Sequence, residues 1–218
     1  MNCIALVGDI EGSRFLENRA LVQQRLQAVF DDLNGRRDAL GMLSPLTITL
    51  GDEFQALFRR ADHVWAAIFS IESALCADSL EGQGARVRFG LGIGTIDTAL
   101  NREAALGMDG PAFHRARAAV ESLKRDKHSY RLLGLSPAQQ LATHALNLLS
   151  AQRDGWRDNR VHIFSGLLQG ESVADLAARL AISAEAVYKN IRQGELDSVR
   201  GILGGVSELA NEQLGGAT

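Results

Sequence analysis

A β-branched, apolar stretch, residues 46–50 (Leu46-Thr47-Ile48-Thr49-Leu50), and a stretch in which Phe54, Ala56 and Phe58 alternate with Gln55 and Leu57, residues 53–58 (Glu53-Phe54-Gln55-Ala56-Leu57-Phe58), are separated only by Gly51-Asp52. A connection this short joins antiparallel neighbours, so these residues are committed to a β-hairpin. The rest of the first half arranges itself around that hairpin. Residues 3–8 read as a buried strand. Residues 16–40 read as an amphipathic helix with Val22, Leu26, Val29, Phe30 and Leu33 on one stripe. A second helix is expected over 61–78, with Val64, Ile68, Ile71 and Leu75 inward. Residues 86–96 alternate apolar residues with Gly90, Gly92 and Gly94, the pattern of a strand approached closely by another backbone. A third helix, 112–124, follows Gly110-Pro111, and Tyr130-Arg131-Leu132-Leu133 reads as a short last strand. The order β-α-β-β-α-β is the ferredoxin-like one. It predicts an antiparallel sheet with helices on one face, the first strand central and the hairpin beside it.

No strand pattern follows Gly134. Helices are expected over 137–152, 159–169, 173–180, 184–193 and 197–213, so the chain divides into an α+β domain, 1–134, and a helical domain, 135–218. The pair 173–180 and 184–193 reads as a helix-turn-helix. Leu176, Leu180, Ile182, Val187 and Ile191 are its core, Ala177 is the small residue at the crossing, and Ser183 caps the second helix. In a DNA-binding role Ser183, Ala184, Glu185, Tyr188, Lys189 and Arg192 would face the major groove. The same fold serves equally for packing or dimerisation. From 135 onward seven Lys/Arg stand against nine Asp/Glu, with Arg179, Lys189, Arg192 and Arg200 as the local basic patch.

The whole chain carries a net charge of −3, which supplies no global attraction to nucleic acid or to an anionic membrane. No apolar run reaches the roughly 20 residues of a membrane span. The two cysteines, Cys3 and Cys76, both fall in elements expected to be buried. Buried free thiols and a chain that opens directly on a strand, with no signal-peptide pattern, suit the cytoplasm.

Chemistry concentrates in two Gly-Asp motifs, Gly8-Asp9 and Gly51-Asp52, each at the edge of a strand. Mg²⁺ and Mn²⁺ prefer oxygen ligands, and Mg²⁺ commonly takes one or two carboxylates together with substrate phosphates and water. Asp9 and Asp52 are candidates for that pair. Backbone N–H groups of Ile10, Glu11, Gly12 and Ser13 are candidates to cradle a phosphate, with Arg14 adding charge. Gly-Asp is also a common turn dipeptide, and Asp9 is a candidate cap of the first helix. Arg86 and Arg88 share one face of their strand, toward a nucleotide or toward water. His63 and His114 have no second ligand at zinc spacing. The basic run Lys124-Arg125-Asp126-Lys127-His128 complements a helix C-terminus or meets a phosphate.

Several motifs resemble known families. Val7-Gly8-Asp9-Ile10-Glu11-Gly12-Ser13 is similar to the strand-one motif of class III nucleotidyl cyclases, and Leu50-Gly51-Asp52-Glu53-Phe54 to their hairpin motif and to the signature hairpin of GGDEF diguanylate cyclases. Arg88-Phe89-Gly90-Leu91-Gly92-Ile93-Gly94 resembles a further cyclase strand. Over its full length the chain resembles the SatD family of bacterial proteins. The cyclase resemblance implies that Asp9 and Asp52 hold Mg²⁺ or Mn²⁺, that Arg117 on the helix after Gly110-Pro111 meets the nucleotide, and that sites form between two subunits of a homodimer. It also exposes departures. The base-reading Lys of purine cyclases is replaced by Ile48, and the Asn and Arg that they space four residues apart are absent as a pair, since His114 is followed at that interval by Ala118 and Arg117 preceded by Phe113. Loss of such donors costs about 10²–10³-fold each in rate. The sequence therefore reads as a bacterial regulator. A degenerate cyclase-like domain would bind a nucleotide or phosphate ligand, and a helix-turn-helix would read DNA. A metal-dependent nucleotide enzyme (cyclase or phosphohydrolase) and a non-catalytic dimeric scaffold are the alternatives, and no catalytic residue is assigned.

Overall fold

The computed structural model describes residues 1–13, 16, 18–77, 80 and 84–215. The elements follow in the order β1 (Asn2–Ile10), α1 (Arg19–Gly35), β2 (Met42–Leu50), β3 (Glu53–Phe58), α2 (Val64–Ala74), β4 (Val87–Thr95), α3 (Pro111–Leu123), β5 (Tyr130–Leu133), α4 (Gln139–Asp154), α5 (Asp158–Leu168), α6 (Val173–Arg179), α7 (Ala184–Gln193) and α8 (Leu196–Gly215). The sheet order is β2-β3-β1-β4-β5. Strands β1 to β4 pair antiparallel throughout, with β1 central and the β2–β3 hairpin beside it, as expected. β5 adds parallel to β4, so the five-stranded sheet is mixed rather than antiparallel.

The helices also depart from a one-faced arrangement. On β1, Ile4, Leu6 and Ile10 join the core beneath α1 and α2, while Cys3, Ala5 and Val7 join a second core with Ala112, Phe113 and Ala116 of α3. α3 thus covers the other face. Its seat is the glycine row of β4: a Cβ at Gly90 would lie 2.2 Å from the Ala116 carbonyl oxygen, and one at Gly92 2.1 Å from that of Ala112. Only hydrogen side chains let the helix backbone lie directly on the strand. Arg115 Nη1 donates to the Ile93 carbonyl at 2.5 Å and secures the contact.

On the first face the core runs from the sheet into the C-terminal helices without a break. Phe30 and Phe54 pack edge to face, with centroids 5.0 Å apart; Phe89 stacks on Tyr130, and Phe69 meets Phe164 of α5 at 4.6 Å. Leu176, Val187, Leu203 and Val206 belong to the same cluster. Polar contacts fix the junction. Tyr130 Oη donates to Glu72 at 2.5 Å, and Arg153 Nε of α4 donates to the other oxygen of the same carboxylate at 2.7 Å. α8 returns to the sheet end through Trp65 Nε1 to Ser207 at 3.1 Å and Asn2 Nδ2 to the Leu214 carbonyl at 3.2 Å. Cys3 and Cys76 are buried free thiols, and burial pushes Cys3 up to about 11. No described helix is long and apolar enough to cross a membrane.

Two outcomes follow. Gly92→Ala forces α3 off the strand and should lower stability by about 2 kcal/mol or more, read as a lower urea midpoint. Burial first, and then the Glu72 carboxylate, push the Tyr130 phenol well above its ordinary 10.0. The unfolded chain ionises this group near 10 and the folded chain does not, so its stabilisation is complete below pH 10 and is lost as pH rises beyond. Tyr130→Phe should cost about 1.5–3 kcal/mol at neutral pH, where a bond to a charged group is lost. It should also show a shallower loss of stability between about pH 9 and 11, checked by urea midpoints across that range.

Candidate functional site

The two Gly-Asp motifs meet at one end of the sheet. Asp9 stands opposite Glu53 of β3 and opposite Arg88 of β4, so the three side chains form one row on the α3 face. The Ile10 N–H donates to the Asp52 carbonyl at 3.2 Å, which holds the hairpin turn beside the end of β1. Arg88, at one end of the row, makes its ion pairs. Its Nη1 lies 3.2 Å from Asp9 Oδ2 and its Nη2 3.5 Å from Glu11, with the guanidinium side chain 20% exposed. Its Nε is buried and has no partner among the described residues. Lys124, just past the end of α3, brings its ammonium to 4.0 Å from Asp9 Oδ1. A hydrogen bond to Glu121, then the charges of Asp9, Glu121 and Glu53, raise the Lys124 pKa against the opposing effect of burial.

Asp52 has different company. Its carboxylate accepts the hydroxyl of Ser13, which is buried. Gly51 in the same turn has φ +61°, and a Cβ there would stand 3.6 Å from Arg19 Nη2, so a third cation lies over the turn. Glu53 accepts the Thr49 hydroxyl at 3.2 Å.

The remaining expected residues divide. The N–H groups of Ile10 and Glu11 are committed to the carbonyls of Asp52 and Arg86, which confines the expected phosphate cradle to Gly12 and Ser13. Arg14 lies outside the described residues. Asp9 does not cap the first helix, because it sits within β1 and Asn18 precedes α1. Arg88 faces carboxylates rather than water, whereas Arg86 turns to Asp154 at 2.7 Å. Arg117 is not brought to the acidic row of its own chain. It lies 3.7 Å from Asp109 and over the Phe113 ring, and His114 Nε2 reaches the same carboxylate at 2.9 Å. The Gly110 N–H, and then these two side chains, hold the Asp109 carboxyl below its usual range. Ile48 packs against the core beneath α1. His63 is the residue preceding α2. Spacing along the chain carries no signal for Arg19, Lys124 and Arg88 as one cationic group, because only the sheet, the start of α1 and the α3 seat bring them to one end.

Among the described residues no group of three or more His, Cys, Asp or Glu side chains converges as a metal site. The donors expected from the two motifs are the carboxylates of Asp9, shared with Arg88 and Lys124, and of Asp52, with Glu53 and Glu11 beside them. Such a set fits a hard divalent ion that completes its shell with ligand phosphates and water, not an ion caged by protein alone.

In the C-terminal part, Ser183 Oγ accepts the Ala186 N–H at 3.1 Å as the cap of α7. Glu185, Tyr188, Lys189 and Arg192 are exposed on that helix. Ser172 and Asp175 form a reciprocal capping box on α6.

The fold is that of an α+β protein with a five-stranded mixed sheet and, among the described residues, eight helices. It is similar to nucleotidyl cyclase domains at low identity. A bacterial light-regulated adenylyl cyclase matches with 18% identity over 60% of this chain and 74% of its own, at a TM-score of 0.44. The guanylyl cyclase domain of the RhoGC fusion protein from the aquatic fungus Blastocladiella emersonii matches with 15% identity over 53% and 71%, at 0.38. The guanylate cyclase domain of RhGC from Catenaria anguillulae, in complex with GTP, matches with 13% identity over 58% and 84%, at 0.37. A comparison with proteins of curated function gives no match. The SatD family model matches residues 3–196, and the chain belongs to the SatD family.

The ion pairs of the row are testable. With Asp9 and Arg88 largely buried, Arg88→Met should cost about 2 kcal/mol, and Asp9→Asn with Arg88→Met should cost less than the sum of the single changes. Urea denaturation of the four proteins in the cycle measures this.

Proposed function

We propose that the acidic end of the sheet binds a nucleotide or related phosphate ligand together with Mg²⁺ or Mn²⁺, and that the protein is a regulator. The observation that carries this reading is the meeting of Asp9 and Asp52 at one sheet end with Arg19, Arg88 and Lys124 around them. Carboxylates suit the metal and cations suit the phosphates. Gly12 and Ser13 supply the backbone turn nearest Asp52. In the cyclase-type arrangement that the motifs resemble, sites form between two copies of the chain. A homodimer would then present Arg117 from the second copy.

Cyclisation is disfavoured by the residues themselves. The position of the base-reading Lys is Ile48, packed inward, and His114 and Arg117 are both engaged by Asp109. Binding without turnover accounts for retaining the carboxylates and losing those donors. The output we assign to the second part of the chain, 135–218, as a separate functional unit. α6 and α7 with the short connection between them form a helix-turn-helix that reads DNA through the outward side of α7, including Ser183, Glu185, Tyr188, Lys189 and Arg192. Supporting this, Leu176 and Val187 are wholly buried and Tyr188 is 50% exposed.

Isothermal titration with ATP, GTP and cyclic nucleotides, each with Mg²⁺, tests the ligand half. Wild type should bind at least one of them, and Asp9→Ala or Asp52→Ala should weaken that binding at least tenfold, about 1.4 kcal/mol. No binding to wild type, or binding unchanged in both variants, overturns it.

A further inference from the structure

A second concentration of positive charge lies far from the acidic row in sequence. Between the first turn of α5 and one side of α7 runs an open groove of about 870 Å³, lined by Arg157, Asp158, Asn159, Arg160, Lys189, Asn190 and others. The cations of the C-terminal part fall into two groups. Arg153 pairs with Glu72 at 2.7 Å, Arg179 with Glu171 at 2.9 Å and Arg200 with Asp197 at 3.1 Å. Arg157, Arg160, Lys189 and Arg192 form no ion pair among the described residues. Three of these four line the groove, and Arg192 is one turn along α7 from Lys189. Of the patch Arg179, Lys189, Arg192 and Arg200 expected from the sequence, Arg179 and Arg200 are paired within the fold, and Lys189 and Arg192 are joined instead by Arg157 and Arg160.

Arg160 is placed for this. Its Nε is buried and has no partner among the described residues. Its stem crosses Gly194, where a Cβ would come 2.7 Å from its Cδ. The cavity gathers Arg157, Arg160 and Lys189 around the amide-bearing Asn190, with a single carboxylate, Asp158, in the lining. Unpaired guanidinium and ammonium groups converging on an open, polar concavity recognise phosphate oxygens. On α7 the groove reaches the exposed side at Lys189, with Arg192 three residues on along the same face.

We propose that this groove holds backbone phosphates of duplex DNA. It would position α7 on the duplex, and it moves Lys189 from the reading set given above to a phosphate contact beside Arg157 and Arg160, none of which then carries sequence information. The proposal rests on the DNA-reading role given above to the C-terminal part, and adds residues of α5 that a helix-turn-helix pattern alone does not supply. Phosphate contacts are independent of sequence, so a mixed-sequence duplex is a sufficient probe.

Fluorescence anisotropy of the full chain with a labelled duplex, titrated over a series of salt concentrations, tests it. Arg157→Gln/Lys189→Gln changes two exposed side chains, and circular dichroism melts check that it folds like wild type. The slope of log affinity against log salt should fall by about 2, one for each phosphate contact removed. Tyr188→Ala serves as a second variant, which should weaken binding with the slope kept. Wild-type binding with a slope unchanged in Arg157→Gln/Lys189→Gln overturns the groove and leaves the DNA reading standing. Absence of duplex binding by wild type at low salt overturns both. Inorganic triphosphate that binds wild type, is lost in the double variant and is accompanied by no duplex binding identifies a free phosphate ligand and overturns DNA as the source.

Discussion

The close approach of α3 to β4 sets the geometry of the sheet end. Carbonyl oxygens of Ala112 and Ala116 occupy the space that side chains at Gly92 and Gly90 would fill. With no side chain between them, helix and strand are locked in height and in register. One turn beyond Val120 the chain reaches Lys124, which therefore arrives at the level of Arg88 and Asp9. Larger residues on the strand would lift the helix and draw that ammonium away from the carboxylate. The electrostatics of the site are in this sense a packing result. Asp9 is on the central strand, flanked by a carboxylate on one side and a guanidinium on the other, because β1 lies between β3 and β4.

The opposite face depends on a buried charge. Glu72 on α2 is 8% exposed and both its oxygens are used, one by the Tyr130 phenol and one by Arg153. A carboxylate in such surroundings is tolerable only with all its partners present. It therefore ties α4 to α2 and β5 in one arrangement, and Ser73 of α2 adds a contact to His162 of α5 at 2.6 Å. The rings of Phe30, Phe54, Phe89 and Tyr130 continue across the sheet from α1 to the same junction. The helices at the C-terminus consequently share a core with the strands that carry Asp9 and Asp52. A ligand-driven shift of the sheet end has packed side chains through which to bias α5 and α7, and that contiguity is the physical requirement for coupling the two proposed functions.

The elements were legible because local pattern dominates there. The hairpin at Gly51-Asp52, the stripe Val22-Leu26-Phe30-Leu33 and the cap at Ser183 each follow from spacing within one segment. β4 was legible as a strand with close approaches, but which backbone approached it was not, because the partner lies in α3. The mixed character of the sheet is not legible in the sequence for a related reason: β5 is four residues long, and nothing in Tyr130-Arg131-Leu132-Leu133 states the direction of its neighbour. At the site, Asp9 and Asp52 stood out by motif. The commitment of the Ile10 and Glu11 N–H groups did not, since it depends on carbonyls at 52 and 86. The reciprocal cap of Ser172 and Asp175 is likewise a matter of local spacing, with the two residues three apart at the start of α6.

Charge shows how far spatial pairing rewrites a sequence-level sum. The two Gly-Asp motifs look equivalent along the chain. In the fold, Asp9 is neutralised by Arg88 and approached by Lys124, while Asp52 forms no ion pair among the described residues and keeps only a neutral hydroxyl partner. A divalent ion would thus meet its less contested donor at Asp52 and would have to compete for Asp9 with two cations. A phosphate ligand eases that competition from the other side, because it offers Arg88 and Lys124 an alternative anion. Under the proposed function, metal and phosphate would each lower the cost of binding the other at this end of the sheet, and their joint arrival would be favoured over either alone.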